Sequence, residues 1–150
     1  MKNFVLKCLG SLGYVLRYGC IAHCTFEYVG DFVLCSGPSM EPTIFSDDIL
    51  FTEHISALTY GIKKGDIVIA KCPTNPKQQI CKRVVGLSGE KMKTGFSSYE
   101  RIPIGHVWLQ GDNYTNSTDS RSYGPVPIGL IKGRAICKVW PPTRITMLSS

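Results

Sequence analysis

The chain has 150 residues and a net charge of +6, with 43% hydrophobic and 19% charged residues. That suits a single domain with an appendage and excludes a disordered or fibrous chain. The basic residues are spread with no block of five or more, which disfavours nucleic acid and fits an anionic membrane surface equally well. Fifteen glycines and nine prolines favour short strands and turns over a helical bundle.

Residues 1–26 carry Lys2, Lys7 and Arg17 and no acid, the pattern of mitochondrial targeting segments. Nineteen mostly apolar or small residues lie between Lys7 and Glu27. As a helix they would run roughly 28 Å, close to the hydrocarbon thickness of a bilayer. Arg17 in the middle would cost about 2.5–3.5 kcal/mol there unless a partner helix or snorkelling relieved it. A membrane anchor, a cleaved presequence and an ordinary amphipathic helix all fit. The expectation is an anchor over residues 1–30, running nearly straight into a catalytic domain over 31–150.

Ser36-Gly-Pro-Ser-Met-Glu-Pro-Thr43 follows. Gly37 tolerates unusual dihedrals, Pro38 fixes its own φ, and Pro42 keeps Glu41 out of the helical region. The stretch predicts a stiff turn with the Ser39 hydroxyl exposed at its tip. Beyond it come β-branched and aromatic runs punctuated by Gly, Pro or Asp: 48–52, 66–70, 79–85, 106–110 and 133–140. Segments 72–78 and 91–101 read as loops, and 111–127 as a long ordered one. The class is mainly β, an antiparallel core behind an N-terminal helix.

Within 79–85, period two puts Ile80, Lys82 and Val84 on one face. If that face points inward, desolvation lowers the Lys82 pKa from its ordinary value of about 10.4 toward that of a base. A lysine snorkelling from a sheet edge is the alternative. The stretch Gly111–Gly124, GDNYTNSTDSRSYG, is dense in residues that hydrogen-bond their own backbone and build rigid loops. Asp119 and Arg121 suit a bracing ion pair. His54 and His106, at strand ends, read as surface histidines. The seven cysteines are an odd number and contain no C-x-x-C, which fits neither a disulfide framework nor the usual zinc spacing.

Together these stretches resemble the type I signal peptidases, membrane Ser-Lys proteases. Ser39-Met-Glu-Pro-Thr43 resembles the serine box and Gly65-Asp-Ile-Val68 a strand box. Lys82-Arg-Val-Val-Gly86 with Gly89-Glu90 resembles the lysine box, and Gly111-Asp-Asn113 through Arg121 the last box. They fall in the family's order between residues 36 and about 127. The short spacing between Lys82 and Gly111, and a lysine where the endoplasmic-reticulum branch has histidine, resemble the mitochondrial branch. The sequons at Asn113 and Asn116 would then be silent.

The resemblance implies a signal-peptidase-like β core behind a membrane-associated helix, with Ser39 as nucleophile and Lys82 as general base. Ser117 would orient the lysine, and Asp119 and Arg121 would brace the loop. It implies an oxyanion site at the Ser39 N–H, with Gly37 and Met40 beside it. Many bacterial members carry a hydroxyl where this chain has Gly37, so a backbone group or Ser36 would substitute. No metal or organic cofactor is implied. The implied partners are a homologous second catalytic subunit, precursor substrates and the lipid bilayer. Products would be released into the intermembrane space. The competing readings are an inactive structural subunit of such a complex, a repressor-type Ser-Lys autoprotease, and a penicillin-binding Ser-x-x-Lys at Ser88–Lys91. The autoprotease lacks an upstream recognition helix, and the Ser-x-x-Lys lies in a turn without its companion motifs.

Overall fold

The computed structural model describes residues 2–93 and 99–148, with side chains from residue 13 onward. A helix, α1, spans Lys2–Cys24 and ends in a π-helical turn over Thr25–Val29. Its described side chains are exposed. Among the described residues no helix is long and apolar enough to cross a membrane. Arg17, Gly19 and His23 dilute the hydropathy of α1.

The helix does not run straight into the serine loop. Strand β1, Gly30–Leu34, intervenes and pairs with β2, Ile49–Glu53. Its apolar residues continue the hydrophobic run of the helix, which hides the change of element in the sequence. Next come a short helix α2, Ile55–Leu58, then β3, Ile67–Lys71, and β4, Gln79–Gly86. Residues 91–101, read as a loop, instead contain a small hairpin of β5, Lys91–Lys93, and β6, Tyr99–Arg101. Its three-residue strands are too short and polar to show a period; residues 94–98 lie outside the described chain. Strand β7, His106–Gln110, precedes the long polar loop, which holds a short helix α3, Ser120–Tyr123, and β8, Val126–Pro127. Strand β9, Ile131–Trp140, and β10, Thr146–Met147, complete the chain.

The main sheet runs β1-β2-β9-β3-β4-β7-β8, with β10 against β9, and every pairing is antiparallel. Strand β3 is buried on both faces. Ile67 and Ile69 pack with Met40, Ile44 and Leu50, while Val68 and Ala70 pack with Val84, Val107 and Leu109. Each of the Ile, Val, Leu and Met side chains contributes about 1.5–3 kcal/mol on burial. The sheet therefore separates two apolar cores, and β4, at its centre, carries side chains into both.

Candidate active site

Lys82 sits on interior strand β4, opposite Val68 of β3, so its face is fixed by regular pairing with no bulge. It is 4% exposed. Strand β7 pairs β4 only from Arg83 onward, so the β4 backbone at Lys82 has β3 on one side, but the lysine does not snorkel into water, because its side chain is buried. Burial lowers the Lys82 pKa below its ordinary value; the nearby Asp119 charge acts in the opposite direction, and Arg121 reinforces the lowering.

The Lys82 Nζ donates to Ser117 Oγ at 3.0 Å, and the Ser117 hydroxyl donates to Asp119 Oδ2 at 2.8 Å. A serine hydroxyl has one proton. With that proton committed to Asp119, Ser117 can only accept from the lysine, and this orients the nitrogen. Asp119 is 0% exposed and gathers further donors: the Gly111 N–H at 3.0 Å and a bidentate Arg121 guanidinium at 2.8 Å to each oxygen. Burial pushes its carboxyl up, but these hydrogen bonds outweigh that and hold its pKa at about 2. Arg121 is in turn stacked on the Tyr114 ring, 3.9 Å from its centroid. Thus Lys82, Ser117, Asp119 and Arg121, chosen on sequence, form one connected chain.

Ser39 is half-buried, not fully exposed at a tip, and shares with Lys82 a groove of about 600 Å³. The long loop clamps its mount. The Asn113 N–H donates to the Ser39 carbonyl at 3.1 Å and the Asn113 Nδ2 to the Pro38 carbonyl at 3.0 Å. Gly111 permits this approach, since a Cβ there would collide with both Ser117 Oγ and the Ser39 carbonyl. Among the described residues, the Ser39 backbone N–H donates to no other group of the protein. Gly37 adopts φ +93°, where a side chain is strained, and its N–H is taken by Ser46 Oγ at 3.0 Å. Ser36, Gly37 and Met40 all line the groove, Met40 at 2% exposure also packing in the core. His54 and His106 do not line the groove; they hydrogen-bond the Glu27 and Ile104 carbonyls.

Two supports of the mount escaped sequence reading. Arg83, on the face opposite Lys82, grips Asp112 through two bonds of 2.8 and 2.7 Å, and Asp112 accepts from Thr43 Oγ1 at 2.6 Å. Lys138 of β9, 3% exposed, donates to the Thr43 carbonyl at 3.0 Å and pairs with the fully buried Asp48 at 2.8 Å. Arg144 approaches the other Asp48 oxygen at 3.3 Å. The adjacency of Arg83 to Lys82 was a usable signal for the first; nothing in the sequence pattern signals the second.

The chain is matched by the profile for signal peptidase, peptidase S26, over residues 12–95 and 90–140. It is 61% identical to the human mitochondrial inner membrane protease subunit 1 over 146 residues, covering 94% of this chain and 88% of that protein. It is 39% identical to the Arabidopsis thaliana mitochondrial ATP-independent inner membrane protease subunit 1a, covering 88% of this chain and 83% of that one. A Danio rerio mitochondrial inner membrane protease subunit 2 is 42% identical over 115 residues, 72% of this chain and 63% of that protein.

Proposed function

This chain belongs to the signal peptidase family, peptidase S26, and from that premise we propose that it is a serine endopeptidase of the mitochondrial inner membrane with Ser39 as nucleophile and neutral Lys82 as general base. The observation that carries the reading is the buried Lys82, oriented by Ser117 and sharing a groove with Ser39. Burial lowers the Lys82 pKa and so favours the neutral amine, whose lone pair can take the serine proton. Its Ser117 contact occupies one N–H and leaves the lone pair for the serine proton.

Ser39 Oγ attacks the scissile carbonyl while Lys82 takes its proton and then delivers it to the leaving amine. Water then hydrolyses the acyl-enzyme with the lysine as base again. The Ser39 N–H meets the oxyanion, and the Ser36 hydroxyl assists it, a role supported by Ser36 lining the groove and by the Gly37 N–H being taken by Ser46. Asp119 and Arg121 act through Ser117 and position the lysine.

The substrate is an extended segment after a sorting signal. Supporting this, the groove runs between Val33–Ser36 and Gln78–Cys81, two backbone stretches against which an added strand can lie. The relatives named subunit 1 and subunit 2 support a homologous second catalytic subunit as partner. Residues 1–30 associate with the bilayer, Arg17 lying against that partner, and the catalytic domain over 31–150 faces the intermembrane space. Cleavage of a sorting-signal peptide by the full chain with its partner should vanish in Ser39→Ala of this chain. Unchanged cleavage would assign the chemistry to the partner and make this chain the scaffold.

A further inference from the structure

The groove that holds Ser39 and Lys82 is also lined by three thiols outside the proposed chemistry, Cys35, Cys72 and Cys81, of which Cys72 hydrogen-bonds Thr74 Oγ1 at 3.2 Å. Cys35 lies between β1 and the serine loop, one residue before Ser36; Cys81 immediately precedes Lys82 on β4. Cys35 and Cys81 both line the groove wall, both are free, and Cys81 packs against the buried cluster that contains Cys35. They are distant in sequence and belong to the two segments that carry the nucleophile and the base. We infer that Cys35 and Cys81 form a thiol–disulfide modification site that closes the peptide groove when oxidised, an inference that rests on the groove being the substrate site.

The pair is chemically asymmetric. The hydrogen bond with Cys81 holds the Cys35 thiol below its ordinary range despite burial and the nearby Asp48 charge, with Lys138 assisting. The same contact, together with burial, pushes Cys81 well above its own. Exchange begun at either sulfur ends in the same disulfide, here begun at Cys35. Cys35 loses its proton and attacks a small disulfide RSSR such as glutathione disulfide. A mixed Cys35–S–SR bond forms and one RSH leaves. Cys81 then attacks the Cys35 sulfur and expels the second RSH. Two protein thiols are oxidised, RSSR is reduced to two RSH, and no other reactant is needed.

The bond formed is about 2.05 Å long, shorter than any contact between two thiols. It draws the segment leading to Ser39 against the strand carrying Lys82. A misplacement of about 1 Å costs on the order of 10²-fold in rate. In the mixed disulfide, the added group occupies the groove itself.

The test treats the purified full chain, together with its partner subunit, with glutathione disulfide and reads two quantities. Non-reducing peptide mass mapping should show Cys35 joined to Cys81, with the loss of two hydrogens. Cleavage of a sorting-signal peptide should fall about 10²-fold and return with dithiothreitol. Cys35→Ala and Cys81→Ala, each compared with itself before oxidation, should lose the response; Cys72→Ala, which removes the third groove thiol, should keep it. The inference is overturned if mapping finds the two cysteines unlinked, if linkage leaves cleavage unchanged, or if the Ala variants respond like wild type. The mapping does not depend on proteolysis, so a reduced chain that forms the linkage but cuts nothing would overturn the functional reading instead.

Discussion

Lys82 and Lys138 are buried to nearly the same degree, at 4% and 3% exposure, on strands β4 and β9. They differ in what they face. Lys138 meets the Asp48 carboxylate directly at 2.8 Å and the Thr43 carbonyl at 3.0 Å. Lys82 meets only a hydroxyl, with the Asp119 carboxylate one bond further away and itself neutralised by Arg121. An ammonium against a carboxylate is an ion pair that ties the serine loop to β9. An amine kept one hydroxyl away from its nearest carboxylate is poised to lose a proton. Burial alone therefore does not make a base; the distance to the counter-charge does.

Removing each lysine breaks the comparison at its strongest point. Lys82→Met should lower cleavage by about 10²–10⁴-fold, the share of a positioned general base, with the fold intact because a desolvated amine is replaced by an apolar chain. Lys138→Met should do the reverse. It leaves Asp48 charged, buried and without its closest partner, a loss of about 3–5 kcal/mol in denaturant unfolding. Adding Asp48→Asn should recover most of it, and the folded fraction should still cleave.

A smaller effect separates the carboxylates. The Asp119 pKa of about 2 lies below that of an unfolded aspartate, so its stabilisation is present above about pH 4 and lost as pH falls toward about 2. That contribution is about 2 kcal/mol. Asp119→Asn should flatten acid unfolding over that interval. It should also move the rising limb of the cleavage pH profile to lower pH, because the Asp119 charge favours the Lys82 ammonium. A limb moving to higher pH would contradict the proposed orientation. Smallest of all, Gly37→Ser should bring no gain in rate and cost about 1–2 kcal/mol, since φ +93° strains any side chain.

The same two lysines explain what the sequence makes legible. Strands β2, β3, β4, β7 and β9 announce themselves by β-branched runs, and regular alternation along β4 puts Lys82 inward beside Val84. On β9 alternation fails. Leu50 pairs with Lys138 and Phe51 with Cys137, but Thr52 pairs with Ala135, so Ile136 is bulged out. The bulge reverses the face as far as a second irregularity at Val139, and Lys138 turns inward with Ala135, three positions before it. No residue pattern records a bulge. Strand β1 was hidden for a different reason, since its apolar residues continue those of α1. The clamp of Asn113 on Ser39 is a contact between distant loops that local pattern does not reach.

The most direct test of the difference between the lysines is the pH dependence of Ser39 acylation by a serine-acylating inhibitor, measured in the full chain. The rate should rise through a single ionisation below the ordinary lysine value of about 10.4. That limb should be absent in Lys82→Met and unchanged in the Lys138→Met, Asp48→Asn double variant. The same limb persisting in Lys82→Met would show that another group takes the serine proton, and the assignment of Lys82 as base would fall.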